Sequence, residues 1–61
     1  MLDNNDKEVM IGDSVRVFEN LNIRSFIGYV VGFRCDGEIT TVEDSQGDCF
    51  DLESFEFEKE S

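Results

Sequence analysis

Residues 27–43 read Ile27-Gly28-Tyr29-Val30-Val31-Gly32-Phe33-Arg34-Cys35-Asp36-Gly37-Glu38-Ile39-Thr40-Thr41-Val42-Glu43. Two runs rich in β-branched and aromatic residues flank an Asp-Gly pair. Such runs favour a pleated, half-buried surface. The Asp-Gly pair supplies the left-handed backbone that a two-residue hairpin turn needs. The stretch therefore predicts a β-hairpin, with strands over Ile27–Arg34 and Glu38–Glu43. A two-residue turn at Asp36-Gly37 sets Cys35 opposite Glu38, Phe33 opposite Thr40 and Val31 opposite Val42. Strict alternation puts Ile27, Tyr29, Val31 and Phe33 on one, buried face and Gly28 and Gly32 on the other. Two glycines inside a strand mark a bend or a close backbone approach, which suits a long strand that curls to serve two partners. A bulge at the first turn would shift the Val31–Val42 row by one residue.

Outward from the hairpin, more strands appear. Asp44-Ser45-Gln46-Gly47 reads as a second turn, returning the chain into Asp48-Cys49-Phe50-Asp51-Leu52. A three-residue loop there sets Asp44 opposite Asp48 and Val42 opposite Phe50. On the N-terminal side, Gly12-Asp13 signals a turn before Ser14-Val15-Arg16-Val17-Phe18-Glu19, which alternates with Val15 and Val17 on one side. Asn20 and Asn22 favour a turn. Leu21, Ile23 and Phe26 suggest that the connecting loop packs. Glu53-Ser54-Phe55 fits one short helical turn, and Glu56-Phe57-Glu58 a fifth strand. No apolar stripe has a helical period. The expectation is one all-β domain over residues 9–58, with a flexible N-terminal arm over 1–8 and a frayed tail over 59–61. Its core comprises Val15, Val17, Val31, Phe33, Val42, Phe50 and Leu52.

Composition narrows the function classes. The chain has 61 residues, 15 acidic and 5 basic, no His, and a formal net charge of −10. A body this small buries only about 60% of its unfolded surface, leaving little room for a catalytic cleft. Without His, and with no Ser or Cys beside a plausible base, no nucleophilic or acid–base set presents itself. No enzymatic activity, cofactor or metal is expected. The acids of Glu43-Asp44-Ser45-Gln46-Gly47-Asp48 do not follow the calcium-loop spacing and read as a hairpin. No apolar run approaches the ~20 residues of a membrane-spanning helix. The Met1 end lacks the basic start and apolar stretch of a secretory leader. A cytoplasmic setting is expected.

Cys35 and Cys49 fall near opposite ends of the third strand. Their partners Glu38 and Glu43 are five residues apart, roughly 17 Å at strand rise. A disulfide needs Cα atoms within about 7 Å, so both thiols should be free. The acids at Asp36 and Asp48 also oppose an activated thiolate.

The charge opposes direct contact with nucleic acid, whose affinity rests on Lys and Arg neutralising phosphates. It equally opposes anionic membranes and favours basic partners. The densest signal lies in the C-terminal third. Asp48, Asp51, Glu53, Glu56 and Glu58 alternate with Phe50, Leu52, Phe55 and Phe57. If the apolar side chains turn inward, these acids form an outward column for a basic protein partner. The plainer alternative is a solvated sheet face. Arg16, Arg24 and Arg34 are the alternative contact residues, for a phosphate or an acidic peptide, unless neighbouring carboxylates pair with them.

Five short strands, a packed loop after the first, two tight hairpins and a helical turn before the last strand resemble the five-stranded SH3-like small barrel. Gly12-Asp13-Ser14-Val15-Arg16-Val17 with Ile27-Gly28-Tyr29-Val30-Val31 resembles the start of KOW- and Tudor-type barrels. Val42 through Leu52 is similar to their hairpin and final turn. A KOW-type relationship implies an RNA-, ribosome- or polymerase-associated binding domain using Arg16, Arg24 and Arg34. Here, however, the loops carry Glu19, Asp36, Glu38, Asp44 and Asp48. A Tudor-type relationship implies an aromatic cage, for which Phe18, Phe26, Tyr29 and Phe50 are the candidates. Small stand-alone acidic barrels also resemble accessory proteins of phages and mobile elements, some of which block nucleic-acid-binding enzymes.

Overall fold

The Asp36-Gly37 pair does what its chemistry predicts. In the computed structural model, which describes residues 2–60, Asp36 and Gly37 adopt φ of 56° and 91°. The Glu38 amide donates to the Cys35 carbonyl at 3.1 Å and closes the turn. Phe33 stands opposite Thr40 and Arg34 opposite Ile39, the register expected from a two-residue turn. Met1 and Ser61, the outer ends of the expected arm and tail, lie outside the described residues.

The strands are β1 (Ser14–Val17), β2 (Phe26–Arg34), β3 (Ile39–Glu43), β4 (Cys49–Leu52) and β5 (Phe57–Lys59). Short 3-10 turns occupy Cys35–Gly37 and Ser54–Glu56. All neighbours are antiparallel, in the order β4-β3-β2-β1-β5. The fold is thus all-β, one five-stranded antiparallel sheet with β4 and β5 at its two edges. The second 3-10 turn carries the chain from one edge to the other. The Glu53 amide donates to the Glu56 carboxylate at 2.7 Å, half of a reciprocal capping box.

The two halves of β2 serve different partners. Phe26–Tyr29 pair with β1, and Tyr29–Arg34 pair with β3. A parity conflict follows. Val15 and Val17 face the core, and they stand opposite Gly28 and Phe26, so even-numbered residues of β2 point inward there. At the other end the turn sets odd-numbered Phe33 beside buried Thr40. Both can hold only if one residue is inserted, and the ladder shifts between Val30 and Gly32, leaving Val31 as the extra residue. A bulge of this kind bends the strand and sharpens its twist.

The bulge corrects the expected inner face of β2. Val30, not Val31, stands opposite Val42 and is buried. Val31 is 43% exposed and Phe33 37%. Ile27 and Tyr29 face outward, Tyr29 at 59% exposure, whereas Phe33 keeps the Thr40 side at the sheet's end. Gly28 lies inside, where a Cβ would come within 2.6 Å of the Glu43 carbonyl oxygen, so close approach of β3 is what requires glycine.

The observed core is Val9, Val15, Val17, Val30, Val42, Leu52 and Phe57, with Ile23, Phe26 and Phe50 packed against it. Val15, Val17, Val42 and Leu52 agree with the sequence reading, and Phe50 is half-buried. Phe57 turns inward as its alternation with acids suggests, but Phe55, in the 3-10 turn, is exposed. In the β1–β2 loop, Ile23 packs while Leu21 is fully exposed. The Asn20 side chain organises that loop, accepting from the amides of Asn22 and Ile23 at 2.8 and 3.0 Å.

Residues 2–8, expected as a loose arm, lie along β5. Asp3 is 2% exposed, and its carboxylate accepts three backbone amides: Asn5 at 2.8 Å, Lys7 at 2.9 Å and Lys59 at 2.6 Å. The Asn4 amide donates to the Phe57 carbonyl at 3.0 Å. The outer edge of β5 is thereby occupied. Lys59, expected in the tail, is the last residue of β5.

Candidate protein-binding surface

The five acids of the expected column do not form one free surface. β5 places Glu58 opposite Arg16, whose Nε donates to the Glu58 carboxylate at 3.0 Å while a second guanidinium nitrogen donates to the same oxygen. Asn5 adds a bond at 3.1 Å. The Arg16 hydrogen bond, then Asn5, holds the Glu58 carboxyl below its ordinary value of 4.5. Asp51 accepts from the Thr41 hydroxyl at 2.7 Å and lies 3.4 Å from Arg34 Nε. Glu53 and Glu56 are engaged in the capping box. Asp48 forms no side-chain hydrogen bond or ion pair among the described residues. Asp48 and Glu53 are exposed, as expected.

The arginines resolve in the same way. Arg16 reaches Glu58 and, at 4.0 Å, Glu60, and its guanidinium carbon lies 5.3 Å from the Phe18 ring centre. Arg34 is held by Asp51. Arg24 has no ion-pair partner among the described residues and lies in the β1–β2 loop. The third paired cation is Lys59, 3.4 Å from Asp13. The Asp13 carboxylate also accepts from the Met10 amide at 2.8 Å, the main cause of its lowered pKa. These are pairs at the sheet rim, the ordinary fate of a few cations among many acids.

The aromatics do not assemble into a cage. Phe26 and Phe50 stack with ring centres 5.1 Å apart and tilted by 44°. Tyr29 projects on the opposite, outer face between Ser14 and Glu43, and Phe18 sits under Arg16. One aspartate of the second hairpin, Asp44, is likewise committed locally. Asp44 accepts from the amides of Gln46 and Asp48 at 2.8 and 2.9 Å, which closes the loop. Among the described residues no three metal-ligating side chains converge. Cys35 and Cys49 are free and exposed, in agreement with the register argument.

What remains is a pair of surfaces that the sequence reading did not isolate. One is the outer side of β2, where Ile27 and Tyr29 stand exposed between Arg16 and Glu43. Strict alternation hid it, because the bulge turns these residues outward. The other is the free edge of β4 and the groove beside it, of about 290 Å³, lined by Asn22–Phe26, Asp44 and Phe50. Among the described residues no helix is long and apolar enough to cross a membrane. Compared with protein-family models, with curated proteins and with solved structures, the chain matches none.

Proposed function

We propose that this chain is a small non-enzymatic protein-binding module whose acidic surface meets a basic protein partner. The observation that carries the reading is the charge left after internal pairing. Among the described residues only Asp13, Asp51, Glu58 and Glu60 lie within ion-pair distance of a cation, out of fifteen acids. The remainder sit on a body of 24 × 22 × 21 Å. Such a body carries a strong negative field, which steers basic surfaces toward it. Proteins that bind nucleic acid carry the most concentrated Lys and Arg surfaces, so a nucleic-acid-binding protein is the partner class favoured. An accessory protein that blocks such a site, as in phages or mobile elements, belongs to the same reading. So does an SH3-like barrel of the KOW or Tudor type, which the β4-β3-β2-β1-β5 order and the 3-10 turn before β5 support. Direct nucleic-acid binding through Arg16, Arg24 and Arg34 is disfavoured, because two of the three are already paired.

Capture from a nuclease-treated lysate tests this. Asp48 and Glu43 are exposed, and their side chains make no hydrogen bond or ion pair among the described residues, so reversing them leaves the fold intact. Retained proteins should be basic, should elute as salt rises, and should be lost with Asp48→Lys and Glu43→Lys. Arg24→Glu, which only adds to the negative field, should not weaken retention. Retention of non-basic proteins, or loss with Arg24→Glu alone, overturns the reading.

A further inference from the structure

The two edges of the sheet are treated differently. Strand edges offer unpaired amides and carbonyls to any other chain, and proteins usually cover them. At β5 the cover is explicit. The Phe57 carbonyl accepts from Asn4, and the Lys59 amide donates to Asp3. At β4 no such cover is present among the described residues.

The ladder identifies the free groups. The Asp44 amide donates to the Asp48 carbonyl, so that pair is of the hydrogen-bonded kind. Pairs alternate along an antiparallel ladder. Val42–Phe50 and Thr40–Leu52 are therefore bonded pairs, and the amides and carbonyls of Cys49 and Asp51 point away from β3. Among the described residues no backbone hydrogen bond outside the ladder reaches either.

The edge also meets a groove. Phe50 belongs both to β4 and to the wall of the groove formed with Asn22–Phe26 and Asp44. A strand laid along β4 would send alternate side chains to opposite faces. Those on the inner side meet Phe50 and the groove, and those on the outer side meet Cys49 and Asp51. The nearby charges are Asp44, Asp48, Asp51 and Glu53 against Arg34, which is held by Asp51, and Arg24 in the groove wall. The excess is negative. A second copy of this chain would set acid against acid, whereas a strand with basic residues is complementary.

We propose that β4 is a docking edge that accepts an extended basic segment of a protein partner as a sixth strand, pairing with the backbone of Cys49 and Asp51. This mode rests on the acidic-surface reading and specifies how the partner is held. Main-chain bonds supply affinity, and the groove at Phe50 selects an apolar side chain on alternate positions.

The probe is a seven-residue peptide alternating lysine or arginine with valine and threonine. Its first control carries N-methyl groups on the amides that would face β4, and its second replaces the basic residues by glutamate. Amide exchange and chemical shifts are followed residue by residue in the full chain. The basic peptide should slow exchange at Cys49 and Asp51 by at least about tenfold, as formation of a hydrogen-bonded strand requires. Phe50, Leu52 and Lys59 should be little changed. The N-methylated and acidic peptides should not bind. Cys49→Pro, which removes one outward amide and no ladder bond, should weaken binding without altering charge. If the basic and N-methylated peptides bind alike and Cys49 and Asp51 exchange as before, the edge proposal is overturned and the acidic surface stands. If the acidic peptide binds as well as the basic one, charge is not the determinant and both readings fall. Absence of all binding at low salt overturns the edge proposal, and lysate capture then decides the broader one.

Discussion

Asp3→Ala removes the one buried carboxylate in the described chain, and its cost follows from what that carboxylate holds. Oδ1 accepts from Asn5 and Lys7, closing the N-terminal loop on itself, and Oδ2 accepts from Lys59 on β5. A hydrogen bond to a charged group contributes about 1.5–3 kcal/mol. The loop amides of Asn5 and Lys7 can be rehydrated when the acceptor is lost. The Lys59 amide, covered by residues 2–8, is less easily reached. Removing one of ten excess negative charges returns a little through weaker repulsion. The expected net loss is about 2–3 kcal/mol. For a domain whose total stability is on the order of 3–9 kcal/mol, this is a large share. It should lower the melting temperature by roughly 10–20 °C. Asp3→Asn should cost nearly as much, because one carboxylate oxygen becomes a donor facing donors. Burial alone would raise the Asp3 pKa, but the Lys59, Lys7 and Asn5 amides and the nearby Lys7 charge outweigh it and leave the value below 3.8. The stabilisation is therefore complete above pH 3.8 and drains away as pH falls through the lower folded value. Urea unfolding of wild type and both variants across pH measures this. The gap between wild type and Asp3→Asn should close in strong acid. A loss under about 0.5 kcal/mol at neutral pH, within the range of ordinary surface substitutions, would show that residues 2–8 are a loose arm after all.

Thr40 is fully buried and its hydroxyl has no partner among the described residues, so Thr40→Val should stabilise by about 1 kcal/mol in denaturant titration. Gly28→Ala should destabilise by about 2–3 kcal/mol, because the new methyl meets the Glu43 carbonyl oxygen of β3 at 2.6 Å as well as the buried Val42 side chain at 2.7 Å. Phe57→Ala should cost about 3–5 kcal/mol and leave little folded protein, whereas Tyr29→Ser should stay within about 0.5 kcal/mol by thermal melting. Sodium chloride raised to about 0.5 M should increase the melting temperature, since it screens the repulsion among unpaired acids more than it weakens the few rim pairs. A fall instead would mean that Arg16–Glu58, Arg34–Asp51 and Lys59–Asp13 dominate.

Local chemistry made much of the fold legible. The Asp36-Gly37 turn, the Asp44–Asp48 loop and the alternation of Val15 with Val17 each depend on neighbours in sequence. They place the strands and the Val42–Phe50 pair correctly. They also separate the two thiols. The arrangement of the charges was less legible. Arg16 meets Glu58 only because β5 returns beside β1, and Arg34 meets Asp51 across the sheet face. The acid column thus loses most of its freedom to contacts between residues far apart in sequence.

By itself the sequence determined an all-β chain of five short strands with two tight hairpins, free thiols and a large excess of negative charge. Tertiary structure decided which side of β2 is the inside. Each half of β2 has its own parity, one set by β1 and the other by the Asp36-Gly37 turn, and only their meeting forces the bulge at Val31. That single extra residue buries Val30 and turns Tyr29 outward. Tertiary structure also decided that residues 2–8 close the β5 edge. A run of polar residues without period carries no local signal for this, because the partners of Asp3 include an amide 56 positions away. The exposed β4 edge has the same origin, since which strand ends a sheet depends on the order of pairing and not on the residues of that strand.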